Sequence, residues 1–187
     1  MLILASSSPR RKQLLSLITE DFLVDVSDAD ETLPEGISPA EAVCLLAERK
    51  ARAVADRRAP CDTVVGSDTV VVLDGAILGK PANRADAARM LSALSGRTHH
   101  VDTGVCVLHG GEKRIFLSGA DVTFAPMTAP EIDAYLDTGE PFDKAGAYGV
   151  QGMGARFIER IDGDFYAVMG LPVQKLYAAL RDLSSAQ

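Results

Sequence analysis

The stretch Leu2-Ile3-Leu4-Ala5-Ser6-Ser7-Ser8-Pro9-Arg10-Arg11-Lys12-Gln13-Leu14-Leu15 decides the fold: it reads as a short buried strand, a hydroxyl-rich turn and a helix whose opening turns carry three cations. Pro9 suits the first helical position, where a missing N–H costs nothing, and Ser8 before it can cap. Cations at a helix start oppose the dipole and need a reason to be there. Two readings stand side by side. One is a capped surface helix with a basic first turn. The other is an anion site, in which helix N–H groups, the hydroxyls of Ser6, Ser7 and Ser8, and the side chains of Arg10 and Arg11 converge on a phosphate.

The rest of the chain keeps strands and helices interleaved, which makes an α/β protein. Phe22 to Val26 reads as a short strand running into the acidic segment Ser27-Asp28-Ala29-Asp30-Glu31. Ser38-Pro39-Ala40-Glu41 supplies a cap, an N1 proline and a capping-box glutamate, and predicts a helix to Ala55 with Leu45 and Leu46 inward and Lys50 along it. Thr63 to Leu73 is the strongest strand signal, β-branched almost throughout, and Asp74-Gly75 turns it into Ala76-Ile77-Leu78. A helix is predicted from Arg84 to Leu94, then strands over 100–108, 113–120 and 121–124, and a helix from Thr128 to Thr138. The glycine-rich run Asp143 to Gly152, a strand near Arg156 to Ile161 and a helix from Pro172 to Leu183 complete the chain.

With 187 residues, 47% of them hydrophobic, the chain can bury a sizeable core as one domain or as two lobes sharing a sheet. A net charge of −7 argues against a protein that coats nucleic acid, yet allows a small anionic substrate where cations are concentrated locally. Cys44, Cys61 and Cys106 are odd in number and widely spaced, and read as reduced core thiols. No apolar run approaches a membrane span and no leader pattern opens the chain, so a cytoplasmic protein is expected.

Asp68 is out of place in its apolar run. Burying a carboxylate unpaired costs several kcal/mol, so Asp68 should meet a cation, a metal or a cleft, unless Gly66-Ser67-Asp68 is a turn that ends the strand. On a continuous strand it can serve as a general base or as a ligand to a hard divalent ion. Glu31, in the acidic loop after a strand, is the natural second carboxylate, against the plainer reading of a solvated loop. Lys80, in Gly79-Lys80-Pro81, lacks the P-loop spacing but is well placed to touch phosphate. Lys50 and Lys144 are weaker candidates by themselves. The glycine-rich run must bring its backbone close to another element or a ligand. Adjacent His99 and His100 point to opposite faces of a strand, which disfavours a joint metal site. Two carboxylates, a hydroxyl turn with two arginines and lysines on separate loops suit phosphoryl chemistry on a nucleotide.

Leu4-Ala5-Ser6-Ser7-Ser8-Pro9-Arg10-Arg11, Asp30-Glu31, Leu46-Ala47 with Lys50-Ala51, Gly66-Ser67-Asp68-Thr69-Val70, Gly79-Lys80-Pro81, Leu94-Ser95-Gly96 with His99, Tyr135 to Pro141, Asp143 to Gly152 and Gly170-Leu171-Pro172 occur in this order. In this the chain resembles the Maf family of nucleoside triphosphate pyrophosphatases over essentially its whole length. The resemblance implies a single domain over 1–187, of two lobes sharing one elongated mixed sheet with a deep cleft, related to inosine triphosphate pyrophosphatases. It implies hydrolysis of a nucleoside triphosphate to monophosphate and diphosphate with a divalent metal, Mg²⁺ or Mn²⁺, and suggests a homodimer. Asp68 resembles the family's proton acceptor, Glu31 a carboxylate that helps Asp68 hold the metal, and Arg11, Lys50 and Lys80 its phosphate cations. Arg10, Thr69 and Gln151 resemble the branch that prefers dTTP and UTP, with modified pyrimidine nucleotides as further candidates. A glutamine amide can pair with both the carbonyl and the N–H of a uracil or thymine edge. The alternative reading is a nucleotide-binding regulator of cell division without turnover.

Overall fold

In the computed structural model, which describes residues 1–184, the opening stretch forms strand β1 (Leu2–Leu4) and helix α1 (Pro9–Leu15). Strand β2 (Leu23–Val24) and helix α2 (Pro39–Ala55) follow, then strands β3 (Thr63–Leu73) and β4 (Ala76–Leu78) and helix α3 (Arg84–Leu94). Next come strands β5 (Thr98–His109) and β6 (Glu112–Phe124) and helix α4 (Ala129–Leu136). Three 3-10 turns, Glu140–Asp143, Ala145–Ala147 and Met153–Phe157, lead to strand β7 (Ile158–Gly163), helix α5 (Phe165–Met169) and helix α6 (Val173–Ser184). The strands make one seven-stranded mixed sheet in the order β2-β1-β3-β5-β6-β7, with β4 on β3. β1 runs parallel to β2 and β3, whereas β3–β4 and β6–β7 are antiparallel. No helix among the described residues is long and apolar enough to cross a membrane.

The chain divides into two compact units, and β3, β5 and β6 each contribute to both. The first comprises Met1–Thr69, Thr103–Ser118 and the residues from Gly170. Its α2 is seated by the capping box that Ser38 and Glu41 make, and packs Ala47, Ala51 and Val54 against Ile3, Ala5, Val64 and Cys106. Gly66 and Gly104 let it lie flush: a Cβ at Gly66 would stand 2.7 Å from the Ala51 nitrogen, and one at Gly104 2.6 Å from the Val43 carbonyl oxygen. The second unit comprises Val70–Asp102 and Gly119–Met169. Its core joins Val71 and Leu73 to Leu91 and Leu94 of α3 and to Ile132, Tyr135 and Leu136 of α4.

Several expectations are corrected. The second strand is two residues long: the Asp25 N–H still bonds the Leu4 carbonyl, but the Val26 carbonyl is taken by Arg57, which with Arg58 also holds the Asp25 carboxylate. Leu45 is only half-buried, since the inner seam of α2 follows Val43, Leu46, Ala47, Ala51 and Val54. The segments around 113–120 and 121–124 are one strand. Gly119 does not break it, and a Cβ there would meet the Val101 carbonyl oxygen at 2.5 Å. The strand expected near Arg156 begins at Ile158 because 153–157 form a 3-10 turn. Of the three cysteines only Cys106 is a core thiol: Cys44 is half-buried and Cys61 exposed. Helix α5 had no periodic signal, being five residues long; the Asp164 carboxylate caps it by accepting from the Tyr166 and Ala167 N–H groups.

Candidate active site

Strand β3 does not end at Gly66-Ser67-Asp68; it runs on through all three to Leu73. Asp68 therefore sits on a rigid strand, two residues beyond the glycine against which α2 rests and on the same strand face. From α2 the Lys50 ammonium donates to the Asp68 carboxylate at 2.6 Å and pairs with the Glu31 carboxylate at 2.8 Å. One cation thus draws together carboxylates that lie 37 positions apart in the chain. The Lys50 and Asp68 side chains are each 14% exposed, and that of Glu31 64%. Glu31 has no secondary structure to hold it. Arg49 supplies the support, donating to the carbonyls on either side, Asp30 at 3.1 Å and Thr32 at 2.6 Å.

The serine–arginine corner belongs to the same unit. Ser8 caps α1 by accepting from the Arg11 N–H, and Ser6, which is buried, accepts from the Ser8 N–H. The Arg11 guanidinium donates to the Gly170 carbonyl at 2.9 Å, the Ser6 hydroxyl at 3.3 Å and the Thr69 hydroxyl at 3.2 Å. All three acceptors are neutral, so the fork is fixed in direction while its charge is not cancelled by them. Burial pushes the Arg11 pKa down from its ordinary value, and the negative charge of Asp68 opposes that shift. Thr69 shares a further hydrogen bond of 2.8 Å with Thr103. Arg11 is thereby tied to the residue next to Asp68. Ser7 is exposed and Arg10 half-buried. The bonds to Ser6 and Ser8 use their oxygens as acceptors, and a hydroxyl in that position still has a proton to donate.

Lys80, Lys144 and Gln151 lie in the second unit. Lys80 is exposed at the end of the β3–β4 hairpin, and the carbonyl of Gly79 before it accepts from the Gly146 N–H at 3.1 Å. Lys144 is engaged within its own loop, donating to the Glu140 carbonyl at 2.7 Å and the Asp143 carboxylate at 2.6 Å. Gln151 is exposed. The histidines separate as their alternation implies. His99 is buried with its Nε2 2.7 Å from the Tyr148 hydroxyl, and His100 bridges Asp121 and Asp102. Among the described residues no group of three or more His, Cys, Asp or Glu side chains is placed to hold a metal ion.

Reasoning from sequence missed two members of this arrangement. Arg49 gave no signal beyond its position beside Lys50. Gly170 stood in a recognisable Gly-Leu-Pro run, yet its use is a backbone one: its carbonyl accepts from both Arg11 and the Ser67 hydroxyl.

The family model described as Maf-like protein matches residues 1–183. The chain belongs to the Maf family. Among Maf relatives, the dTTP/UTP pyrophosphatase of Bacillus pumilus (strain SAFR-032) is 49% identical over 96% of this chain and 94% of its own. That of Symbiobacterium thermophilum is 52% identical over 93% of this chain and 89% of its own. The solved structure of the Staphylococcus aureus Ham1 protein is similar in fold, with a TM-score of 0.55 at 16% identity, covering 97% of this chain and 98% of that one. The Maf chain thus has the mixed α/β architecture of that protein.

Proposed function

We propose that the protein hydrolyses the α–β phosphoanhydride of dTTP and UTP, releasing nucleoside monophosphate and diphosphate. The observation that carries this reading is the Lys50 ammonium held between Asp68 and Glu31, in the same unit as the fixed guanidinium of Arg11. Relatives about half identical over nearly the whole chain, and named dTTP/UTP pyrophosphatases, support the substrate class.

Asp68 accepts the proton of the attacking water. The water oxygen bonds to the α-phosphorus, and the bridging oxygen leaves with the diphosphate. Arg10, Arg11, Lys50 and Lys80 offset the charge of the triphosphate and of the departing diphosphate. Ser6, Ser7 and Ser8 donate to phosphate oxygens, and Lys144 joins them with the N–H left over from its bonds to Glu140 and Asp143. Arg10, Thr69 and Gln151 select the base and its sugar-phosphate setting, with the Gln151 amide on the pyrimidine edge.

Glu31 and Asp68 would hold a divalent cation, Mg²⁺ or Mn²⁺, which when bound supplies charge neutralisation and polarises phosphate oxygens. The donor set fits such an ion: two hard oxygen ligands converge where a cation is already favoured, and Mg²⁺ commonly takes only one or two carboxylates, with substrate phosphates and water completing its shell.

The test is one chromatographic assay of purified protein with Mg²⁺ or Mn²⁺ and a panel of nucleoside triphosphates. Monophosphate and diphosphate from dTTP and UTP are expected. Release of orthophosphate would make the protein a phosphatase of the terminal group, and binding without either product would make it a nucleotide-binding regulator.

A further inference from the structure

The glycine-rich run needs something close to its backbone, and in the second unit that partner is largely one carboxylate. Glu140 opens the 3-10 turn after α4. Its Oε2 accepts from the Met153 N–H at 2.7 Å, and its Oε1 accepts from the Gly154 N–H at 3.1 Å and from the Tyr135 hydroxyl at 2.8 Å. The same hydroxyl accepts from the Gly149 N–H at 3.1 Å. The Glu140 carbonyl is held in turn by Lys144. Hydrogen bonds therefore fasten the loop on both sides of Gln151, at 149 before it and at 153 and 154 after it.

The glycines are where they are because of this clamp. A Cβ at Gly152 would stand 2.5 Å from the Glu140 carboxyl carbon, one at Gly149 3.0 Å from Oε1, and one at Gly154 2.6 Å from the Tyr135 hydroxyl. These side chains could swing aside only by losing the bonds just described. Tyr135 is fully buried and packs edge-on against Phe157, which gives the clamp a rigid base. Burial works to raise the Glu140 pKa. The Met153 N–H, the Tyr135 hydroxyl, the Gly154 N–H and the charge of Lys144 outweigh it, so the carboxylate titrates below its ordinary range.

We propose that Glu140 is a positioning residue for base selection: with Tyr135 it fixes the loop that presents Gln151, and thereby sets the reach of the glutamine amide for a pyrimidine and against a purine. This rests on the proposed role of Gln151. The reason positioning matters is chemical. The hypoxanthine edge of a purine nucleotide offers the same carbonyl and N–H as uracil, so a glutamine amide can pair with either. Residue type alone does not separate UTP from ITP. A fixed distance and approach can, because the larger base does not fit at the reach set for the smaller one without leaving polar atoms unpaired.

Glu140→Gln keeps the shape but sets an amide NH₂ against one of the loop N–H donors. Tyr135→Phe removes only the hydroxyl. For each variant and for Gln151→Ala, kcat and KM are measured with UTP and ITP, alongside thermal unfolding. The expected result is a fall of about ten-fold in the UTP-to-ITP ratio of kcat/KM, worth about 1.4 kcal/mol, carried by a higher KM for UTP while kcat for UTP stays within about three-fold. A purely structural role would lower both substrates together through the folded fraction and leave the ratio unmoved. If Gln151→Ala leaves the ratio unchanged, the base-reading role of Gln151 fails. If Gln151→Ala lowers it and the folded Glu140→Gln protein does not, the positioning inference fails. Should Glu140→Gln not fold, Tyr135→Phe decides by the same criterion.

Discussion

Gly66→Ala tests whether the approach of α2 to β3 sets up the catalytic pair. The added methyl would lie 2.7 Å from the Ala51 nitrogen and 3.0 Å from the Ala51 Cβ, with the Ala47 carbonyl oxygen closer still. Two of these three atoms are backbone in mid-helix, and none is the far end of a flexible chain. Ordinary carbon contacts begin at about 3.5 Å, so α2 must retreat by about 1 Å. Lys50 precedes Ala51 on that helix, and Asp68 follows Gly66 by two on that strand. The retreat would stretch the 2.6 Å Lys50–Asp68 bond to about 3.6 Å, beyond hydrogen-bond range. Overpacking of this kind costs about 1–3 kcal/mol, or a Tm lower by roughly 2–12 °C for a chain of this size. Misplacing the Lys50 ammonium by about 1 Å relative to Asp68 should slow diphosphate release about a hundred-fold. Thermal unfolding and the chromatographic assay read the two effects. A variant within about 1 °C of the parent Tm and within about two-fold of its rate would refute the claim that this close packing places Lys50 on Asp68.

Other perturbations separate the parts of the site. Asp68→Asn should leave nucleotide binding largely intact, as measured by calorimetric titration, and lower kcat by about 10²–10⁴-fold; a variant keeping most of its rate would make another residue the base. Arg49→Met frees the two carbonyls around Glu31, so activity should need a higher metal concentration for half-saturation, with a Tm change of only a few degrees. His99 offers a pH test. Burial pushes its pKa down from 6.5 to about 4, and its Nδ1 is buried without a hydrogen-bond partner among the described residues. Above pH 6.5 the imidazole is neutral folded or unfolded; between 6.5 and about 4 only the unfolded chain takes up the proton. Stability should therefore fall by about 3 kcal/mol across that window as the pH drops. In urea unfolding at pH 7 and pH 4.5, His99→Asn should lose less than the parent over the same interval.

What the sequence made legible was whatever a few neighbouring residues decide. Ser38 and Glu41 satisfy each other across three positions, and Ser8 with Pro9 starts α1 as its chemistry requires. Asp74-Gly75 gives both positive φ angles of its hairpin turn, 52° and 78°. Asp68 was conspicuous because an ionised group in a valine run breaks a pattern. The partner that explains it was not legible: Lys50 reaches Asp68 only because Gly66 has no side chain, and no local pattern ties residue 50 to residue 66. The glycines at 149 and 152 were equally visible and equally unexplained. A Cβ at either would crowd the Glu140 carboxylate, whose position depends on the packing of Tyr135.

The spacing along α2 shows why one helix can carry so much of the site. Ala47 and Ala51, four apart, face the strand and are small enough to bring the helix axis in. Lys50 lies beside that seam, three residues from Ala47, so the close approach that buries the alanines delivers its ammonium to Asp68. Arg49, one step back and about 100° around the helix, leaves the strand and faces the acidic loop, where it holds the backbone on both sides of Glu31. Glu48 turns away again, to Arg52 and Lys113. A residue inserted between 47 and 48 would rotate Lys50 and Arg49 off both targets by the same 100° while leaving the helix itself intact. The site thus depends on helical register as much as on residue type, and the same lysine in another phase would be one more solvent-facing cation.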